Sequence, residues 1–159
     1  NRQVGQETTS KIYLPALKAS DIDEAEQAAA APPEGGDETI LLVDDEAAIR
    51  GFAEQALLKF GYTVLTAANG EEALRVCEEN RDRIDLVILD IGMPVMDGRR
   101  CLVELQRGAP GIKVLMASGY SINSDEIAAL GSGTVGFIPK PYNLTNLLAR
   151  VRAALANRP

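Results

Sequence analysis

The sequence contains no histidine. That excludes histidine within this chain as a general base, a nucleophile or a metal ligand. Cysteine is nearly as scarce, with only Cys77 and Cys101. Their spacing matches no zinc or redox motif. Each falls in a helical apolar pattern, so both read as small buried apolar residues in a reducing compartment. No apolar run reaches the ~18 residues that a membrane-spanning helix needs. Positive charge is in deficit, with 16 Lys and Arg against 23 Asp and Glu, a net charge of -7 and a pI near 4.7. That balance speaks against direct contact with nucleic acid. The chain opens on Asn1 rather than methionine, as expected of a piece excised from a longer protein, and a targeting signal would be lost with that start.

What is present divides unevenly. "NRQVGQETTSKIYLP" offers a short strand over Lys11 to Leu14. From Ala16 to Glu38 the chain is rich in Ala, Pro, Gly and acids and poor in large apolar residues. Such a segment buries too little to offset its ordering entropy, so it reads as a flexible linker, with helical character around Asp21 to Ala31. From Thr39 the pattern becomes regular. "TILLV", "TVLTA", "DLVILDI", "KVLMAS" and "VGFIP" are short apolar runs, and each is followed by a helical pattern. The first of these places Ile49, Phe52, Ala53, Ala56, Leu57 and Phe60 on one stripe, and Gly61 ends it. "NGEEALRVCEEN", "RRCLVELQRG" and "SDEIAALG" supply three more, the last with Ser124 as its expected N-cap. Leu144, Leu147, Leu148, Val151 and Leu155 form the stripe of the fifth. Residues 39–157 thus predict five β-α units. Strands apolar throughout, alternating with helices, imply an α/β fold with a doubly wound parallel five-stranded sheet.

In such sheets, sites lie beyond the carboxyl ends of the strands. The first strand ends at Asp44-Asp45, the third at Asp90, the fourth at Ser118 and the fifth near Lys140. Three carboxylates, a hydroxyl and an ammonium therefore converge on one edge. Clustered carboxylates repel, and a hard cation such as Mg²⁺ together with Lys140 would offset that repulsion. Any one of these residues could be a helix cap or a solvated lysine. All five at ordered strand ends point to a shared site.

With "LLVDDE", "LVILDIGMPVMDG", "VLMASGY" and "FIPKPY" in this order and spacing, the chain from Thr39 onward resembles a response-regulator receiver domain of two-component signalling. The resemblance implies a flavodoxin-like (βα)₅ fold with strand order 2-1-3-4-5. It implies that Asp90 is the phosphoacceptor. It implies a Mg²⁺ ion ligated by Asp45, Asp90 and the carbonyl of Gly92, with Asp44 acting through water. Lys140 would pair with a phosphoryl oxygen, and Ser118 would be the switch hydroxyl. Phe137 matches the switch aromatic, with a plain core aromatic as the other reading. Lys140-Pro141 would be a cis peptide. Met93-Pro94 and Asp97-Gly98 form the loop before the third helix, where Gly98 answers a backbone need. Gly92 and Gly119 leave the approach to Asp90 open, and Tyr120 lies where the family varies its dephosphorylation rate.

Upstream, "VGQETTSKIYLP" resembles the last strands of a histidine-kinase ATP-binding domain, with Gly5, Thr8 and Ile12-Tyr13-Leu14-Pro15 in place. Glu7 stands where that pattern has a second glycine, and Ser10 where it has Phe. The expected organisation is a kinase remnant over residues 1–15, a linker over 16–38 and a receiver over 39–157, as in a hybrid histidine kinase. The donor would be a phosphohistidine on a kinase or a histidine phosphotransfer protein, necessarily elsewhere, since this chain has none. The expected setting is cytoplasmic, with no membrane contact by this segment and a parent chain that can be membrane-anchored. Receivers of this kind can pair as homodimers through the face from the fourth to the fifth helix. This segment reads as a phosphoacceptor rather than a turnover enzyme. The alternatives are a feedback or docking module, or a Mg²⁺-dependent phosphatase with an Asp nucleophile. The latter would carry a second Asp two residues after the nucleophile, where Gly92 stands.

Overall fold

The apolar runs become strands and the striped segments become helices, in strict alternation. The computed structural model describes residues 34–119, 122–131 and 133–157. In order they form β1 (Thr39–Val43), α1 (Ala47–Lys59), β2 (Thr63–Ala67), α2 (Gly70–Glu79), β3 (Leu86–Asp90), α3 (Gly98–Gly108), β4 (Lys113–Ser118), α4 (Ser124–Ala129), β5 (Thr134–Pro139) and α5 (Leu144–Ala156). The sheet is parallel throughout, in the order β2-β1-β3-β4-β5. This is the flavodoxin-like topology that the resemblance implied. The expected strand at Lys11 to Leu14, the helical stretch around Asp21, the kinase remnant and Tyr120 lie outside the described residues.

The period of two along each strand sorts the core into two clusters. Ile40, Leu42 and Ile88 point to one side, where Leu57 of α1 and Leu148 and Val151 of α5 cover them. Leu41, Val43 and Leu89 point to the other, under Cys77 of α2 and Leu102 and Leu105 of α3. Both faces are buried, which is why the strands are apolar throughout rather than alternating. Cys77 and Cys101 are buried free thiols, as their pattern suggested.

Three local expectations change. Phe52 does not join the buried stripe of α1 and is 46% exposed, because Ala53, Ala56 and Leu57 already fill the contact with the sheet. Asn123, not Ser124, caps α4: its side-chain oxygen accepts the Glu126 N–H at 2.8 Å, and Glu126 accepts the Asn123 N–H at 3.2 Å. This reciprocal pair starts the helix at Ser124, with the cap one residue before the predicted one.

The third change concerns the end of the linker. Gly36 N–H donates to Phe60 O at 3.2 Å, and Thr63 N–H donates to Glu38 O at 3.0 Å. Arg152 of α5 grips both Glu38 oxygens, at 2.9 and 3.4 Å. A Cβ on Gly35 would fall on the Phe60 carbonyl, and one on Gly36 would fall on the Glu38 carboxylate, 2.8 Å from Arg152. The Gly35-Gly36 pair is therefore a close-packed strap. Burial opposes the Glu38 charge, but the hydrogen bond and charge of Arg152 together with backbone N–H donors outweigh it and hold the carboxyl below its usual 4.5. A lowered carboxyl stabilises the fold above its unfolded pKa and loses that contribution as pH falls through its folded one. Glu38→Gln should therefore cost about 1 kcal/mol at neutral pH, the scale of a partly exposed bidentate pair. The difference in urea midpoint from the parent chain should close as the pH drops below 4.5. A difference independent of pH would show that charge is not what Glu38 contributes.

Candidate functional site

Parallel register brings the strand ends level. Val43 pairs with Leu89, Asp90 with Ala117 and Ser118 with Pro139. Asp44 and Asp90 thus leave adjacent strands side by side, and Lys140 follows β5 directly, its N–H donating to Ser118 O at 2.7 Å. The Lys140-Pro141 peptide is cis, as the resemblance implied.

The Lys140 ammonium lies between the acids. It is 2.9 Å from Asp44 Oδ2, 3.2 Å from Asp90 Oδ2 and 3.6 Å from Glu46 Oε1. Asp44 and Asp90 are buried, and the Lys140 side chain is 10% exposed. Asp44 Oδ1 also accepts the Glu46 N–H at 2.9 Å, and Asp90 Oδ1 accepts the Gly92 N–H at 3.1 Å. The cleft over Asp90 is lined by Glu46, Ile49, Ile91, Gly92, Ser118 and Gly119, with the Lys140-Pro141 pair at one side. A Cβ on Gly119 would meet nothing within 4 Å, so the approach to Asp90 is open.

The electrostatics follow from one cation shared among several acids. Burial pushes the Asp90 carboxyl above its usual range; the Gly92 N–H and Lys140 pull it down, but the charge of Asp44 adds to the rise. Lys140 cannot neutralise Asp90 fully because it also serves Asp44. Burial works against the Lys140 charge, yet the hydrogen bond and charge of Asp44, then those of Asp90, push it well above the usual lysine value. Tyr142 is pushed up to about 12, by burial first and by the charge of Asp44 next. The edge is thus a strongly negative site with a fixed ammonium.

Asp44, Asp45 and Asp90 each offer a carboxylate oxygen, all within 4.8 Å of one another. Both Asp44 oxygens are engaged, one by the Glu46 N–H and one by Lys140. Asp45 is exposed, and among the described residues it has no hydrogen-bond or ion-pair partner. Hard carboxylate oxygens in this number suit Mg²⁺, which keeps several waters. The donor set therefore fits the metal.

Five of the residues singled out by sequence meet at this edge: Asp44, Asp45, Asp90, Ser118 and Lys140. Ser118 is buried at the end of β4. Phe137 does not line the cleft; it is partly buried against the α2–α3 cluster, paired in register with Met116. Two residues were given no role in the site by the sequence. Glu46 adds a third carboxylate to Lys140, and its place directly after two acids was the available signal. Arg50 donates from Nη1 to Asp44 O at 2.7 Å, a contact to backbone that leaves no trace in residue pattern.

A doubly wound parallel sheet with an acid cluster, a hydroxyl and a lysine at its carboxyl edge is the signalling variant of the flavodoxin-like fold. The chain belongs to the response regulator receiver domain family, whose model matches residues 40–152. It is 39% identical over 160 residues to the sensor kinase CckA of Brucella abortus, covering 96% of this chain and 17% of that protein. It is 38% identical over 115 residues to the transcriptional regulatory protein PrrA of Mycobacterium bovis, covering 72% of this chain and 48% of that one. The chain thus spans less than half the length of either relative. Among solved structures, the chemotaxis protein CheY4 of Vibrio cholerae superposes with TM-score 0.68 at 30% identity, covering 75% of this chain and 99% of that one. The receiver domain of the hybrid histidine kinase CckA superposes with TM-score 0.63 at 42% identity, covering 74% and 98%.

Proposed function

We propose that this chain is a phosphoacceptor in a phosphorelay, taking a phosphoryl group from a phosphohistidine onto Asp90. The observation that carries this reading is the Lys140 ammonium held between Asp90 and Asp44, under an open cleft. An Asp90 oxygen attacks phosphorus, the N–P bond of the donor breaks, the imidazole leaves and an aspartyl phosphate forms. Such transfers need positioning and charge neutralisation more than covalent chemistry. Lys140 supplies a fixed positive charge for one phosphoryl oxygen. Asp45, Asp90 and the Gly92 carbonyl, with Asp44 through water, would hold a Mg²⁺ ion, which would supply further charge neutralisation. In this reading Ser118 hydrogen-bonds the product and Phe137 follows it as the switch aromatic.

The donor is a histidine kinase or a phosphotransfer protein. An apolar groove beside Lys140, lined by Ile49, Phe52, Pro141 and Tyr142, supports docking of such a partner at the cleft. The parent protein is a cytoplasmic-facing hybrid histidine kinase. In support, the alignment with sensor kinase CckA takes in 96% of this chain, whereas that with the regulator PrrA takes in 72%. Among the described residues no helix is long and apolar enough to cross a membrane.

Intact mass after incubation with acetyl phosphate and Mg²⁺ tests the acceptor. A single phosphoryl adduct is expected, absent in Asp90→Asn and absent with EDTA. An adduct that survives Asp90→Asn would place the chemistry elsewhere. No adduct together with no beryllofluoride binding would end the reading. Continuous release of phosphate from a phosphomonoester would favour the phosphatase instead.

A further inference from the structure

We propose that Arg50 is a positioning residue of the acidic site. By holding the Asp44 carbonyl it fixes the Asp44–Asp45 peptide and so aims the Asp45 carboxylate. The proposal rests on the reading that Asp45 and Asp90 hold a divalent cation.

The side chain of Asp44 is tied down by Glu46 N–H at 2.9 Å and by Lys140 at 2.9 Å. Its backbone N–H donates to Ala67 O at 3.2 Å. Asp45 has none of these ties. It is exposed, and among the described residues nothing holds its carboxylate. Where that carboxylate points therefore depends on its own backbone. The peptide that carries it begins at the Asp44 carbonyl, which accepts from Arg50 Nη1 at 2.7 Å. Arg50 lies in the first turn of α1, where its N–H donates to Glu46 O at 2.9 Å. The helix is fixed to the sheet through Ala53, Ala56 and Leu57, all buried. Arg50 thus carries the rigidity of a packed helix to the one metal-facing acid that lacks support of its own. Outer partners of this kind orient the groups that touch a metal.

The competing view is that Arg50 is only a charge near the site, or only an anchor for the helix. Simple electrostatics then predicts the opposite sign. Removing a guanidinium from beside a cation site should tighten divalent binding. Removing a positioning residue should weaken it.

Isothermal titration of Mg²⁺ into the metal-free 159-residue chain, with no phosphodonor, reads this directly. Arg50→Ala should bind Mg²⁺ about tenfold more weakly, the low end of outer-partner effects. Arg50→Lys, with a shorter reach and a single donor centre, should fall between. In an Asp45→Asn background, Arg50→Ala should add nothing, since the two act through one carboxylate. Urea unfolding in EDTA measures folding separately. Equal or tighter binding by Arg50→Ala overturns the proposal, as does a loss of stability with affinity unchanged. A parent chain that takes up no Mg²⁺ sinks the metal reading itself, and the proposal with it.

Discussion

Lys140→Met should weaken the metal-free domain by about 3 kcal/mol, the scale of breaking a buried ion pair from one side, while tightening its hold on Mg²⁺. Both effects come from one geometry. The Lys140 ammonium contacts Asp44 Oδ2 at 2.9 Å and Asp90 Oδ2 at 3.2 Å, and both acids are buried. Without it, two adjacent carboxylates face each other uncompensated, and Asp90, already raised, must rise further. The destabilisation should shrink in acid, where protonating Asp90 removes the repulsion. Mg²⁺ would bind beside the same acids, so the ammonium opposes it. Removing one positive charge a few ångströms from a dication should raise its affinity by about tenfold or more, even with substantial screening. Transfer from acetyl phosphate should nevertheless fall by about 10²–10³, because a fixed charge on the phosphoryl group is lost. Urea midpoints with EDTA and with Mg²⁺, a Mg²⁺ titration and the rate of adduct formation give the three quantities. Weaker Mg²⁺ binding by Lys140→Met would mean that the ammonium does not oppose a cation at this edge.

The legibility of this site follows from where its information lies. Apolar runs of five or six residues can only be buried strands when helical stripes separate them, so β1 to β5 and their order of appearance could be read directly. The site could be read because Asp90 and Ser118 end strands and Asp44, Asp45 and Lys140 follow them, and the parallel sheet brings those ends together. What escaped reading depends on contacts without periodicity. Arg50 donates to a backbone carbonyl, which any residue could offer. Gly35 and Gly36 look like linker because they lack side chains, and they pack tightly for the same reason. Phe52 fits the helical stripe by spacing, but the stripe is wider than the surface that α1 can bury, so its aromatic ring is left beside Pro141 and Tyr142.

Gly98→Ala should damage both stability and phosphoryl acceptance, although Gly98 touches no phosphate and alanine is the better helix former. Gly98 opens α3 against the end of β3, its N–H donating to Ile91 O at 3.1 Å. A Cβ there would fall on the Asp90 carbonyl oxygen, 2.7 Å from Ile91 Cα and 2.9 Å from Asp90 C. All of these are backbone atoms, so no rotamer change can relieve the overlap. Either α3 lifts from the sheet or the end of β3 bends. Overpacking of this kind costs about 1–3 kcal/mol. If β3 yields, the Asp90 carboxylate moves relative to Lys140, and a displacement near 1 Å can cost about 10²-fold in rate. Gly51→Ala is the matched control. Gly51 lies inside α1, and a Cβ there meets nothing within 4 Å. It should stabilise the domain by up to about 1 kcal/mol through helix propensity alone. The same one-carbon addition should therefore lower the urea midpoint at Gly98 and raise it at Gly51, with only the former slowing adduct formation at Asp90. If Gly98→Ala instead behaves like Gly51→Ala, the close approach of α3 to β3 is not what positions Asp90.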